Sequence, residues 1–187
     1  MDQRSDEALA AEAARGDTEA LRCLYSRYQV PAFNLILRLT GDREMAQDLL
    51  QEAFTRVWTM AHTFDPQRGA FKGWLYTVAL NTARSELAKK RHAVTHVEAD
   101  DALGLVSPAD GPEALLVRSE EHRRVEAALA RLAPLLREVV VMKVFHQLKF
   151  REIAEISRTP EGTLKARFHR AVAELREHLR RTGDGGA

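Results

Sequence analysis

The chain has 187 residues, 45% of them apolar, 6% aromatic and 29% charged, with a formal net charge of +1. That length suits one or two compact domains, and low aromatic content with high charge suits an all-helical protein. No apolar run approaches the roughly 20 residues that span a bilayer. The acidic start MDQRSDEALAAEAARGD lacks the apolar core of a signal peptide, so the expected location is the cytoplasm. One cysteine, Cys23, excludes an internal disulfide and a thiolate zinc cluster; between Leu21 and Leu24 it reads as a small core residue. The charge is unevenly distributed. Residues 1–92 carry 13 Lys/Arg against 12 Asp/Glu, residues 93–117 carry five acids and no Lys/Arg, and residues 118–187 carry 15 against 10. A near-neutral part, an acidic part and a basic part behave differently beside a polyanion.

The first 92 residues read as helices throughout. Ser5 or Asp6 caps a short helix ending at Gly16. Asp17 caps the next, with Leu21, Leu24, Tyr25 and Tyr28 on its buried side. Pro31 is expected to kink or interrupt that helix; it resumes through Leu35 and Leu39 and stops at Gly41. Asp42 starts a third, with Ala46, Leu49, Leu50, Ala53, Val57 and Met60 as the apolar stripe. Gln47, Asp48, Gln51, Glu52 and Arg56 lie largely on its other side. Thr63 to Ala70, with an Asp-Pro pair and a glycine, is a loop. The helix that follows buries Phe71, Trp74 or Leu75, and Val78. It ends in Lys89, Lys90, Arg91 and His92, a basic terminus that suits the helix dipole and a phosphate backbone.

Residues 93–117 hold two prolines, two glycines and five acids, and read as an extended linker. Beyond it, Ser119 is expected to cap a helix with Val125, Ala128, Leu129 and Leu132 inward. Pro134 starts an apolar helix central to a small bundle. Phe150 to Leu179 reads as two helices around a tight turn. Ile153, Ala154 and Ile156 give the first its apolar side. Leu164, Phe168, Ala171, Val172, Leu175 and Leu179 repeat at three and four on the second. Its opposite face carries Gly162, Thr163, Ala166, His169 and Arg170, flanked by Lys165 and Arg167. Donors for base edges, cations for phosphates and small residues at closest approach are what a helix needs in a major groove. The tail RRTGDGGA is expected to be disordered.

Four segments in this order resemble a bacterial RNA polymerase sigma factor of the extracytoplasmic-function (ECF) group of the sigma-70 family. AQDLLQEAFTRVW is similar to that family's region 2.2 and FKGWLYTVALNTAR to regions 2.3 and 2.4. REVVVMKVFHQLKFREIAEI followed by PEGTLKARFHRA is similar to region 4. The resemblance implies an all-α chain of two small helical domains: region 2 over 1–92 and a region 4 helix-turn-helix over 118–181. A flexible acidic linker over 93–117 would join them, and 182–187 would be a disordered tail.

It also implies a protein that binds core RNA polymerase, directs it to promoters and helps open the DNA. Asp48, Gln51, Glu52 and Arg56, within 48–61, would dock on the clamp coiled coil, and the polymerase flap would be a further contact. Phe64, Asp65, Gln67 and Arg68 would form the pocket for a flipped base of the melted −10 element. Lys72, Tyr76, Asn81 and Arg84 would line the adjoining surface, since single-stranded bases are held by aromatics beside cations. Trp74 reads as core rather than as a stacking platform. In the −35 duplex, Arg170 would contact guanine, with His169 and Ala166 near base edges. Lys165 and Arg167 would hold phosphates, and Thr163 would bind one at the helix start. The chain departs from the family at Ser85, Ala88, Lys149 and Ser157-Arg158. Arg158 is thereby positioned for an added phosphate contact.

The linker would thread toward the active-centre cleft and RNA exit path, and an anti-sigma factor is the partner the family implies. No cofactor and no metal is expected. The seven histidines are scattered, and His92 and His96 straddle the linker's start. No phosphate loop or nucleophile motif marks an enzyme. The competing reading is a stand-alone helix-turn-helix regulator, which would shift duplex promoter DNA without polymerase.

Overall fold

The computed structural model describes residues 3–94 and 114–183, and every regular element among them is helical. α1 (Asp6–Ala13), α2 (Thr18–Thr40), α3 (Arg43–Met60) and α4 (Phe71–Val94) form the first half. The second comprises α5 (Ala114–Arg131), α6 (Pro134–Val140), α7 (Phe150–Ser157) and α8 (Glu161–Gly183).

The expected caps are in place. Ser5 Oγ accepts from Ala8 N at 3.1 Å, Asp17 Oδ1 from Glu19 N at 2.8 Å, and Asp42 Oδ1 from Met45 N at 3.0 Å. Each satisfies an amide that the helix itself leaves open. Gly41, at φ 72°, ends α2 in the left-handed conformation that suits glycine. Of the two outcomes expected at Pro31, the interruption is corrected: the residue lies inside a single continuous helix. Ala32, Leu35 and Ile36, all 0% exposed, follow it immediately. Burying each large side chain stabilises by about 1.5–3 kcal/mol, which together offsets the roughly 3 kcal/mol cost of an interior proline.

The stripe on α3 is buried from Ala46 to Val57, but Met60 is exposed. On α4, Phe71 and Leu75 are buried while Trp74 and Val78 are half-buried. Leu24 is the one fully buried side chain of the four expected on early α2, and Tyr25 is exposed with its ring edge on Phe54. Cys23 is half-buried against the core.

In the second half α5 begins at Ala114, so Ser119 lies within it rather than at its cap. Val125 faces outward, while Ala128, Leu129 and Leu132 are buried. Pro134 is the first residue of α6. The chain then makes a π turn over Val141–Phe145, with His146 N donating to Val141 O at 3.2 Å. Of the expected linker, residues 93–94 end α4 and 114–117 begin α5; residues 95–113 lie outside the described chain. α8 continues to Gly183, into the segment expected as a tail.

The halves pack against each other. One buried cluster holds Leu35, Leu75 and Ala79 of the first together with Val139, Met142, Ile153 and Leu164 of the second. Arg137 ties them at backbone level. It donates to Leu129 O at 2.9 Å, to Ala130 O, to Leu132 O at 3.3 Å and to Leu39 O at 3.0 Å. One guanidinium thus satisfies the open carbonyls at the ends of α5 and α2, and burial holds its pKa below the usual value.

Candidate nucleic-acid interface

The α7–turn–α8 unit is built as its spacing requires. Ile153 and Ile156 are buried under α7, Leu164 and Ala171 under α8, and Phe150 meets Phe168 edge-on at 5.7 Å. Glu152 accepts from Lys149 N at 2.6 Å, so α7 starts correctly without a hydroxyl at Lys149. Arg158 ends α7 at φ 52°, a left-handed position more often given to glycine, and this directs the chain into α8. Gly162, Thr163, Lys165, Ala166, His169 and Arg170 are exposed along one side of α8. Arg167 is half-buried. Lys165 pairs with Glu161 at 3.4 Å and Arg170 with Glu174 at 2.8 Å. Both pairs lie along the helix, and such exposed pairs are weak enough to exchange for another anion.

The loop before α4 is closed by Asp65, whose Oδ1 accepts from Gln67 N at 2.9 Å. Half-buried Phe64 packs on Phe71 and Trp74, each at 5.6 Å. Asp65, Gln67, Arg68 and Lys72 are exposed, as is Asn81 further along α4. A cavity of about 600 Å³ opens here. Phe64, Asp65, Arg68, Lys72 and Trp74 line one side; Glu152, Glu155 and Arg158 line the other.

Two of the residues expected at this surface are buried or engaged between the halves. Tyr76 is 1% exposed, with its hydroxyl 3.1 Å from His146 Nδ1. Arg84 donates from Nε and Nη2 to the two Glu138 oxygens, at 2.9 and 2.5 Å, and from Nη1 to Ser157 O at 3.4 Å. Glu138 is 4% exposed. The sequence reading passed over Glu138 and His146. The signal available was a carboxylate inside the apolar run LLREVVVMKVF, since charged groups enter cores only with a partner.

Burial, with the cations Arg38 and Lys72, lowers the His146 pKa to about 4; burial raises Tyr76 to about 12. His146 is therefore neutral in the fold and protonates in the unfolded chain near 6.5. Its contribution to stability is present above about 6.5 and lost as pH falls toward 4, because the unfolded state binds the extra proton. Thermal midpoints are expected to fall over that interval. His146→Gln, which can keep the bond to Tyr76, should fall less steeply; parallel curves for both proteins would contradict this.

On α3, Asp48, Gln51, Glu52 and Arg56 are all exposed. Glu52 and Arg56 pair with each other at 2.6 Å. The fold makes no other evident use of this strip. No group of three or more potential metal ligands occurs among the described residues. No helix there is long and apolar enough to cross a membrane.

Comparison with known proteins identifies the family of the two halves. The sigma-70 region 2 model matches residues 24–93 and the sigma-70 region 4 model matches residues 122–175. The RNA polymerase sigma-H factor of Pseudomonas aeruginosa is 32% identical over 180 residues, covering 91% of this chain and 92% of that one. The ECF RNA polymerase sigma factor SigW of Bacillus subtilis is also 32% identical, over 173 residues, covering 89% and 92%. The chain belongs to the extracytoplasmic-function sigma factors. As an ECF sigma factor it is a transcription initiation factor. Among solved structures, CnrH in complex with the cytosolic domain of CnrY matches with a TM-score of 0.69 and 25% identity, covering 98% of this chain and 100% of that one. The sigma factor RpoE in complex with the anti-sigma factor NepR from Bartonella quintana has the same fold. It matches at TM-score 0.69 and 22% identity, covering 85% and 98%.

Proposed function

We propose that residues 1–92 of this sigma factor dock core polymerase and hold the melted −10 element, and that residues 118–181 read the −35 duplex. The observation that carries this is the outward strip Asp48, Gln51, Glu52 and Arg56, a polar face that the fold leaves open. It takes the clamp coiled coil. Phe64, Asp65, Gln67 and Arg68 take a flipped base, with Lys72, Tyr76, Asn81 and Arg84 along the adjoining strand. Thr163, Lys165, Ala166, Arg167, His169 and Arg170 take the −35 groove, with Arg158 on a phosphate. The acidic segment 93–117 threads into the polymerase cleft, and region 4 meets the flap. The protein acts in the cytoplasm as an initiation factor rather than an enzyme. An anti-sigma factor controls it, as the complex of the sigma factor RpoE, a protein of this fold, with the anti-sigma factor NepR supports.

Asp48→Arg combined with Glu52→Arg is expected to weaken association with core enzyme several-fold in a titration, with helical content unchanged. Equal affinity would remove the docking assignment. The deciding experiment is run-off transcription with core enzyme, followed by genome-wide mapping of start sites. Initiation at discrete sites supports the proposal. A chain that shifts duplex promoter DNA alone and never starts transcription would be a stand-alone regulator.

A further inference from the structure

Ser5, Asp17 and Asp42 cap the helices that follow them, but Ala70, the residue before α4, has no side-chain acceptor. Its carbonyl takes Gly73 N at 3.0 Å and Trp74 N at 3.3 Å, as an N-cap carbonyl does. Its methyl group can take none of the open amides of the first turn. The acceptor comes instead from α1. Glu7 Oε1 receives Phe71 N at 3.4 Å, across 64 residues of sequence. A carboxylate there also faces the positive end of the α4 dipole.

The neighbouring Asp6 ties the same turn of α1 to α2. Its Oδ1 accepts from Arg27 Nη1 at 2.7 Å and its Oδ2 from the Tyr28 hydroxyl. Burial and the bond to Asp6 push the Tyr28 pKa well above its usual value, so this hydroxyl stays a donor. The Tyr28 ring lies 5.7 Å from that of Phe71. Two adjacent carboxylates thus reach Phe71 by two routes, one through its amide and one through a ring packed on it. Buried Leu9, Ala10 and Ala13 seat α1 for this. All of these α1 residues precede residue 24, where the region 2 match begins.

We propose that Glu7 is a positioning residue of the −10 pocket: from α1 it supplies the cap that α4 lacks and so fixes the end of the loop Thr63 to Ala70. Asp65 closes the first part of that loop through Gln67 N. Glu7 closes the last part, where the chain turns into α4. It acts on the pocket through Phe71, against which Phe64 packs. It also occupies the amide end of α4, a place that would otherwise attract a phosphate. Strand phosphates therefore fall to the side chains of Arg68 and Lys72. This inference rests on the −10 assignment of the proposed function.

Amide hydrogen exchange on the isolated full chain reads the cap without any promoter. In Glu7→Ala the stretch 64–74 should exchange at least about threefold faster than in wild type, while α7 and α8 keep their rates. Ala70→Asp, which installs a cap locally, should restore protection in the Glu7→Ala background. Unchanged exchange in Glu7→Ala, faster exchange throughout the chain, or no recovery with Ala70→Asp overturns the cap. The consequence for DNA is read with holoenzyme on the promoter mapped by run-off, as the ratio of initiation between that promoter and its single-base transversions. A merely structural loss changes the active fraction, which cancels in this ratio. Glu7→Ala should lower discrimination at the −10 element at least about threefold and leave that at the −35 element within about twofold. Ala70→Asp should again restore it. Equal losses at both elements, or none at either, refute the positioning role. Failure of the wild type to initiate, by contrast, would refute the sigma reading while leaving the exchange result intact.

Discussion

Phe71→Ala is expected to lower the unfolding free energy by about 3–5 kcal/mol, the usual range for removing a fully buried aromatic ring. Phe71 is 1% exposed and opens α4 just after the loop assigned to the flipped base. Its ring meets Tyr28 at 5.7 Å, Phe64 at 5.6 Å and Trp74 at 5.8 Å. Deleting it leaves a cavity among three large side chains that cannot all move into one space. For a chain of this length each kcal/mol shifts the melting midpoint by roughly 2–4 °C, so calorimetry should show a drop of about 10 °C. The loop should loosen with it, because Phe64 loses its edge-on partner, and −10 use should suffer more than core binding. A loss below about 1 kcal/mol would mean that this cluster does not anchor the loop.

Arg170→Ala is expected to cut initiation at the chain's own promoter by roughly 10- to 100-fold. That corresponds to the 1–3 kcal/mol of a good bidentate contact to a base. The side chain is exposed and, among the described residues, pairs with its own-helix neighbour Glu174. Releasing such a pair costs well under 1 kcal/mol, so a guanine can take it. Stability and core association should hardly change, since the side chain is exposed. Loss of polymerase binding in the same variant would contradict the role; so would unchanged initiation.

What the sequence showed best is what local chemistry decides. Ser5, Asp17 and Asp42 cap because their side chains reach amides two or three residues on, and Gly41 stops α2 because a left-handed residue is needed there. The face of α8 follows from a 3.6-residue period, and the exposed and buried positions from Gly162 to Ala171 agree with it. The interruption expected at Pro31 failed because a local penalty was weighed without the apolar side chains that follow it. Ser119 failed because α5 starts six residues earlier than its cap chemistry suggested. Tyr76 and Arg84 expose the larger limit. Their partners stand 54 to 73 residues away, so no window of sequence contains both members. A tyrosine and an arginine on a basic helix read as DNA contacts; their engagement by His146 and Glu138 is a property of the assembled fold.

The π turn at Val141–Phe145 changes how the chain must be counted. It inserts one residue into a helical circuit, which advances everything after it by about 100° relative to an uninterrupted α-helix. Val141 and Met142 point inward, Phe145 lies 4.2 Å beneath the Arg38 guanidinium, and His146 lands on Tyr76. A wheel drawn straight through from Pro134 would send that imidazole to the wrong azimuth. The seam between the halves is therefore fixed by a surplus residue in the backbone as much as by the side chains it presents.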